Sequence, residues 1–126
     1  MMPILVTGGA GFIGSNLARL LLDEGHQMRV LDNFSVGKRE YLDGLDLEII
    51  EGDILDTEIV NQAVSGMEGI VHKAAQTGVP GSLKDPHRDC EVNVIGTLNM
   101  LEAARLEQER QGKQICFIFA SSDTPL

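Results

Sequence analysis

The stretch VTGGAGFIGSNL, residues 6–17, places four glycines within seven residues. Glycine weakens both strands and helices, so such a cluster indicates a turn in which the backbone folds tightly or is approached closely. Before it, PILVT (3–7) is a short apolar run typical of a buried strand. After it, apolar residues recur at helical spacing from Phe12 to Glu24, and Gly25 supplies a stop. The glycines therefore lie at a predicted strand-to-helix turn.

The alternation of strand and helix continues along the chain. Further strands are predicted at 27–32, 47–53, 69–75 and 114–122. A helix capped by Asp56 runs toward Val64, a polar loop covers 76–89, and a long helix ends near Gly112. The strands are near-continuous apolar runs, as expected when both faces of a parallel sheet are covered. We predict a single α/β domain over residues 1–126, a doubly wound, Rossmann-like parallel sheet of five strands in the order 3-2-1-4-5.

Composition and charge exclude several classes of function. The 126 residues are 43% hydrophobic, which is ordinary for a globular domain, and no run approaches the length of a membrane span. The formal net charge of −9 argues against a nucleic-acid partner. No basic and apolar signal segment opens the chain, so we predict a cytoplasmic protein. Cys90 and Cys116 match no metal-ligand spacing, so we predict no metal site and interpret both as packing residues.

The position of the glycines points to a dinucleotide. In a doubly wound sheet, the glycine-rich turn before the first helix holds a pyrophosphate against the helix N-terminus. Two registers fit: Gly9, Gly11 and Gly14 match G-x-G-x-x-G, and Gly8 replaces Gly9 in G-x-x-G-x-x-G. Asp32 ends the second predicted strand, at the distance where an acidic residue binds the ribose hydroxyls. A flexible loop is the alternative for the glycines, and an ordinary loop carboxylate is the alternative for Asp32. The strand before the glycines and the helix after them favour a dinucleotide site instead. Asp32 would repel the 2′-phosphate of NADP, so we predict NAD as the ligand.

Five segments carry a resemblance to a known family. In order they are TGGAGFIGSNL, DNFSVGKR, EGDILD, VHKAAQTGVPGSLKDP and VNVIGTLNMLEAAR. Their order and spacing resemble the extended short-chain dehydrogenases, and within these the NAD-dependent nucleotide-sugar epimerases and dehydratases. The resemblance covers essentially the whole chain.

The resemblance implies a set of cofactor-binding residues. At the pyrophosphate they are Gly8, Gly11, Phe12, Ile13 and Gly14. Around the adenosine ribose they are Asp32, Asn33, Ser35 and Lys38. At the adenine they are Asp53, through its side chain, and Ile54, through its backbone N–H. Along the nicotinamide ribose they are Ala74, Ala75, Gln76 and Asn93. From its neighbours alone, Asn93 is equally well explained as a polar residue on a solvated face.

The resemblance also implies catalytic groups, of which one position is present. Ser122 occupies the place of the Ser or Thr that orients the substrate after the fifth strand. The acid/base motif Tyr-x-x-x-Lys is absent, because Tyr41 is the only tyrosine and Leu45 is the fourth residue after it. We therefore expect the NAD-binding front part of such an enzyme, ending before the sixth strand, inactive alone and unable to bind the nucleotide sugar of a full-length relative. The alternatives are a stand-alone, non-catalytic dinucleotide-binding module and a truncated chain without a function.

Two residues of the fourth strand have simpler interpretations. We interpret His72 as a histidine packed within the sheet. Lys73 stands where the family has a large apolar residue, and it either points at the cofactor or extends its side chain to solvent.

A homodimer is also predicted. The fifth strand, ICFIFA, would lie at a sheet edge and has no charge or proline to discourage pairing. The long helix carries an apolar stripe at Val94, Leu98 and Leu101. The resemblance implies dimerisation through this helix and a later one. The alternative is that the stripe faces only the sheet.

Overall fold

The computed structural model describes residues 2–35, 37–73 and 86–120. Its strands are β1 Pro3–Thr7, β2 Gln27–Asp32, β3 Glu48–Glu51, β4 Gly69–His72 and β5 Cys116–Phe119. All pairings are parallel, and the order is β3-β2-β1-β4-β5, as predicted. The order reverses at β1, which pairs with β2 on one side and β4 on the other, so a ligand crevice is expected at the carboxyl ends of these strands.

The helices end at the residues that the sequence marks. They are α1 Phe12–Asp23, a 3₁₀-helix Arg39–Leu42, α2 Thr57–Val64, α3 Pro86–Cys90, a π-helical segment Glu91–Gly96, and α4 Thr97–Gln111. Gly25 follows α1 with a φ of 94°, and Gly112 ends α4 in the left-handed conformation. The carboxylate of Asp56 accepts hydrogen bonds from the second and third residues of α2, which confirms the predicted cap.

Several predicted boundaries are wrong. β3 is shorter than 47–53, because the edge pairing with β2 stops at Glu51. β4 ends at His72, and β5 covers only Cys116–Phe119 of the predicted 114–122. The predicted loop 76–89 is helical from Pro86, and proline is well suited to a first helical turn because it lacks an N–H. Cys90 and Cys116 are exposed free thiols rather than packing residues.

Apolar side chains cover the sheet on both faces, which explains the continuous apolar strands. One buried cluster lies between the sheet and helices α2 and α4, and it includes Leu5, Ile70 and Met100. The opposite face packs against α1 through a second cluster that contains Val6 and Ala18. β1 thus directs alternate side chains into two cores and holds the following glycine turn in a fixed position.

Candidate functional site

The turn between β1 and α1 leaves a helix N-terminus open. Gly8 has a φ of 68°, a left-handed conformation that suits glycine, and its N–H donates to the carbonyl of Leu31 at 2.8 Å. Gly11 precedes α1 without a side-chain cap, and the first turn of α1 contains no acidic residue. The first N–H groups of a helix have no intrahelical acceptor. The geometry therefore favours an anion at this position.

Gly14 lies where the helix touches the turn. A Cβ on Gly14 would be 2.5 Å from the carbonyl oxygen of Gly8 and 2.8 Å from the Cα of Gly9. Gly9 in turn leaves no room for a Cβ, which would be 2.8 Å from both methyl groups of Val30. Close packing therefore requires glycine at positions 9 and 14, and the left-handed backbone favours it at position 8. The exposed side chains of Phe12 and Ile13 begin the helix beside this turn.

Asp32 connects the turn to the end of β2. It is buried, its Oδ2 accepts from the Ala10 N–H at 2.9 Å, and its Oδ1 accepts from the Phe34 N–H at 2.8 Å. These bonds hold the carboxylate beside the glycine turn. Each carboxylate oxygen can accept a second hydrogen bond, so Asp32 retains the capacity to bind a pair of hydroxyl groups.

The segment after Asp32 returns to the same turn. Asn33, Ser35 and Lys38 are all exposed, and the Asn33 side chain accepts from the Ser35 N–H at 3.0 Å. The Lys38 N–H donates to the Ala10 carbonyl at 3.0 Å. The structure therefore brings the three predicted ribose residues to the border of the turn that Asp32 binds.

Sequence reasoning missed an arginine in this region. The Arg39 guanidinium lies 4.4 Å from the ring centroid of Phe34 and 2.7 Å from Glu51 Oε1. Phe34 itself has a φ of 59°, which is uncommon for a residue with a side chain. Arg39 follows Asp32 along the chain, and its guanidinium forms an exposed ion pair with Glu51.

The loop after β3 contains two further polar groups, the Asp53 carboxylate and the Ile54 backbone N–H. Asp53 Oδ1 accepts from the Leu55 N–H at 3.0 Å, and Oδ2 accepts from Arg88 of α3 at 2.8 Å. Partial burial acts to raise the pKa of Asp53, but the Leu55 N–H and the Arg88 guanidinium outweigh it and leave that pKa below its usual value. Within the described ranges, the Ile54 N–H has no hydrogen-bond acceptor.

A buried chain of hydrogen bonds joins β1, β4 and the long helix. His72 Nδ1 lies 2.7 Å from Thr7 Oγ1, and His72 Nε2 lies 3.0 Å from Thr97 Oγ1. Thr97 Oγ1 donates its proton to the Asn93 carbonyl at 2.8 Å, so it accepts from the Nε2–H of His72. The other ring nitrogen, Nδ1, then carries no proton and accepts from the Thr7 hydroxyl. Burial lowers the pKa of His72 to about 4, so the ring is neutral. This confirms the packed histidine.

The remaining predicted positions follow β4 or β5 along the sequence or lie in the π-helical segment. The Lys73 N–H donates to Thr7 Oγ1 at 2.9 Å and Lys73 is half-buried, and the role of its side chain stays a prediction. Asn93 is half-buried in the π-helical segment. Ala74, Ala75, Gln76 and Ser122 lie outside the described residues, so the predicted nicotinamide and substrate ends of the site stay predictions.

Comparison with known proteins gives the family. A family model described as GDP-mannose 4,6 dehydratase matches residues 5–125. The chain belongs to this family. It is 43% identical over 106 residues to a UDP-glucose 4-epimerase of Corynebacterium glutamicum, which covers 82% of this chain and 31% of that protein. It is 40% identical over 109 residues to a dTDP-glucose 4,6-dehydratase of Mycobacterium tuberculosis, covering 82% and 33%.

A solved structure of the family agrees with the fold. The UDP-glucose 4-epimerase of Brucella ovis in complex with NAD superposes with a TM-score of 0.85 at 35% identity, over 98% of this chain and 36% of that one. The chain thus spans about a third of the relatives that it matches. In the described part of the chain, no helix is long and apolar enough to cross a membrane, and no three potential metal ligands cluster. The cytoplasmic location stays a prediction.

Proposed function

We propose that this chain binds NAD(H) at the carboxyl edge of its sheet, as the dinucleotide-binding portion of a nucleotide-sugar epimerase or dehydratase. The observation that carries the proposal is the buried carboxylate of Asp32, held 2.9 Å from the Ala10 N–H beside the uncapped start of α1. An acceptor for ribose hydroxyls and a donor set for a pyrophosphate thus lie on one turn. The NAD complex of the Brucella ovis relative supports the same ligand.

The residues present fit this ligand from the adenine to the pyrophosphate. The start of α1, from Gly11 onward, offers backbone N–H groups to the pyrophosphate charge. Asp32 accepts from the adenosine ribose, and the segment with Asn33, Ser35 and Lys38 borders it. Asp53 accepts from the exocyclic amine of adenine, and Ile54 donates its N–H to the ring. A bound NAD supplies a nicotinamide ring that takes up or returns a hydride.

The nicotinamide end and the chemistry of the whole enzyme belong to the same proposal. We assign Ala74, Ala75, Gln76 and Asn93 to the nicotinamide ribose and Ser122 to substrate orientation. The positioned acid/base group of the family, Tyr-x-x-x-Lys, is absent from these 126 residues. We assign the cofactor to this chain and the nucleotide sugar to the full-length relatives.

We expect the chain to bind NAD at least about tenfold more tightly than NADP, because a 2′-phosphate would face the Asp32 carboxylate, and like charges in contact cost several kcal/mol. Replacing Asp32 with Asn keeps one acceptor oxygen but removes the charge. It should weaken NAD binding roughly tenfold and narrow the difference between the cofactors. Calorimetric titration of both proteins with NAD and NADP measures each effect.

Asp46→Asn is the matched control for this titration, since Asp46 is exposed and lies outside the proposed site. Its affinities should equal those of the wild type. Thermal unfolding of the Asp32 variant checks that the turn still folds. Equal or tighter binding of NADP by the wild type would contradict the assignment of Asp32.

We further propose that the chain forms a homodimer. Val94, Leu98 and Leu101 are 57%, 57% and 46% exposed, so the stripe does not face only the sheet. β5 pairs only with β4 in the described sheet, and its Ile118 and Phe119 are also about half exposed. Exposed apolar surface and an open strand edge both favour association with a second copy.

Leu98→Glu should raise the dissociation constant of this dimer roughly tenfold or more, because a carboxylate would be buried at the interface. Size exclusion with light scattering at tens of micromolar measures the mass of each protein. Gln62→Glu adds the same charge at an exposed position of α2 and should leave the dimer intact. A monomeric wild type would refute the dimer, and loss of the dimer only in Phe119→Lys would move the interface to β5.

A further inference from the structure

The adenine end of the proposed site contains an ion pair that the motifs do not include. Arg88 Nη2 and Asp53 Oδ2 are 2.8 Å apart, and both side chains are about one-third exposed. The partners come from different parts of the fold, because Asp53 follows β3 and Arg88 lies in α3. The pair therefore fixes the Asp53 carboxylate relative to the helix that follows residues 74–85.

Further contacts hold the same loop. The Asn99 side chain of α4 donates to the Ile54 carbonyl at 2.9 Å, and the Ile54 side chain packs against Gly96, where an added Cβ would collide with its Cδ1. The Leu55 N–H holds the second oxygen of Asp53 at 3.0 Å. These contacts fix the peptide between Ile54 and Leu55. The preceding peptide, which carries the Ile54 N–H, is held through its Asp53 carbonyl, which accepts from the Asp56 N–H at 2.9 Å. Without Arg88, the Asp53 carboxylate would lose the contact that ties it to α3 and would keep the bond within its own loop.

We infer that Arg88 is a positioning residue that fixes the Asp53 carboxylate so that the site selects adenine over other purines. The inference rests on the proposed NAD site. A fixed carboxylate accepts from the exocyclic amine of adenine, and the neighbouring Ile54 N–H meets an unprotonated ring nitrogen. Hypoxanthine presents a carbonyl oxygen to the carboxylate and an N–H to the Ile54 N–H, so both contacts become repulsive. The discrimination depends on the carboxylate being unable to rotate away.

The test compares NAD with nicotinamide hypoxanthine dinucleotide, which differs only at the base. Both are titrated calorimetrically into the full chain, its Arg88→Ala and Arg88→Lys variants, and Arg105→Ala. Arg105 is the matched control, because it is an exposed arginine that pairs with Glu102 and Glu109 on α4, away from the site. Thermal unfolding of each protein shows whether the variants are folded.

We expect Arg88→Ala to weaken NAD binding about three- to fivefold, the range of a partly exposed ion pair. Binding of the hypoxanthine cofactor should stay unchanged or become tighter, because a carboxylate that can rotate away no longer repels the hypoxanthine carbonyl oxygen, so the preference for adenine falls. Compared with Arg88→Ala, Arg88→Lys should restore part of the preference for NAD over the hypoxanthine cofactor, because lysine keeps the positive charge but lacks the planar guanidinium. Arg105→Ala should match the wild type.

Other results would overturn the inference. Equal weakening of both cofactors would mean that Arg88 supports the loop or attracts the cofactor charge without selecting the base. Unchanged affinities would mean that the ion pair has no part in binding. A larger preference for adenine in Arg88→Ala would mean that Arg88 contacts the base itself. A wild type that binds neither cofactor would instead refute the proposed NAD site.

Discussion

Gly14→Ala is expected to lower the free energy of unfolding by roughly 2–4 kcal/mol and to abolish measurable NAD binding. The new methyl group would lie 2.5 Å from the Gly8 carbonyl oxygen and 2.8 Å from the Gly9 Cα. Both neighbours are backbone atoms, so no side chain can rotate aside. The start of α1 must therefore move away from the turn that faces the proposed pyrophosphate. Urea unfolding and calorimetric titration with NAD measure the two effects.

Two other glycines separate steric crowding from backbone strain. Gly66→Ala places a methyl group in open space at a φ of 81°, so it should cost only about 1 kcal/mol. Gly96→Ala meets the Cδ1 and Cγ1 atoms of Ile54, a side chain rather than backbone, so its cost should fall between those of the other two substitutions. A Gly14→Ala protein at least as stable as Gly66→Ala would show that α1 is not packed against the turn as described.

Acidification from pH 7.5 to 5.2 is expected to lower the free energy of unfolding by about 2 kcal/mol through His72 alone. The pKa of His72 is lowered from 6.5 to about 4 in the folded protein, so the unfolded chain takes up the proton first. This contribution is complete above pH 6.5 and is lost as the pH falls toward 4. A protonated ring would also offer a donor at Nδ1, where Thr7 supplies one already. Urea unfolding across this range measures the loss.

His72→Gln removes the titration but keeps a donor and an acceptor, so the pH dependence between 7.5 and 5.2 should become shallower by the same amount. His87→Gln deletes an exposed histidine and should retain the wild-type slope. An NMR titration of the His72 ring provides a second measurement that does not depend on the stability of a variant. A ring that titrates near 6.5 in the folded protein would contradict the neutral, buried assignment.

The parts of the fold that the sequence predicts correctly depend on neighbouring residues. The glycine turn, the Asp56 cap and the Gly112 stop are each determined by conformations within a few positions, so their residue types reveal them. Asp32 is predictable because its distance from the glycines is set by one helix and one strand. Strand ends are less predictable, because they depend on where a partner strand stops.

The contacts that sequence reasoning missed join distant segments. Arg88 and Asp53 are 35 positions apart, and His72 and Thr97 are 25 apart. Neither pair has a spacing rule, because the helices and strands between them can vary in length. The π-helical segment was also missed, since its residues have ordinary helical spacing. The glycine turn and Asp32 are therefore more predictable than the contacts of Asp53 and His72, which join distant segments.

The central position of β1 has a consequence for the order in which the site is assembled. Pro3 pairs with Gln27, but Ile4 on the same strand pairs with Gly69, so closing the second pairing encloses a much longer loop. Loop entropy makes that closure about 0.9 kcal/mol more costly. The short unit of β1, α1 and β2 already contains the glycine turn and Asp32. The part proposed to bind the pyrophosphate and the adenosine ribose is therefore complete in the sequence before β4, the strand that carries His72, begins.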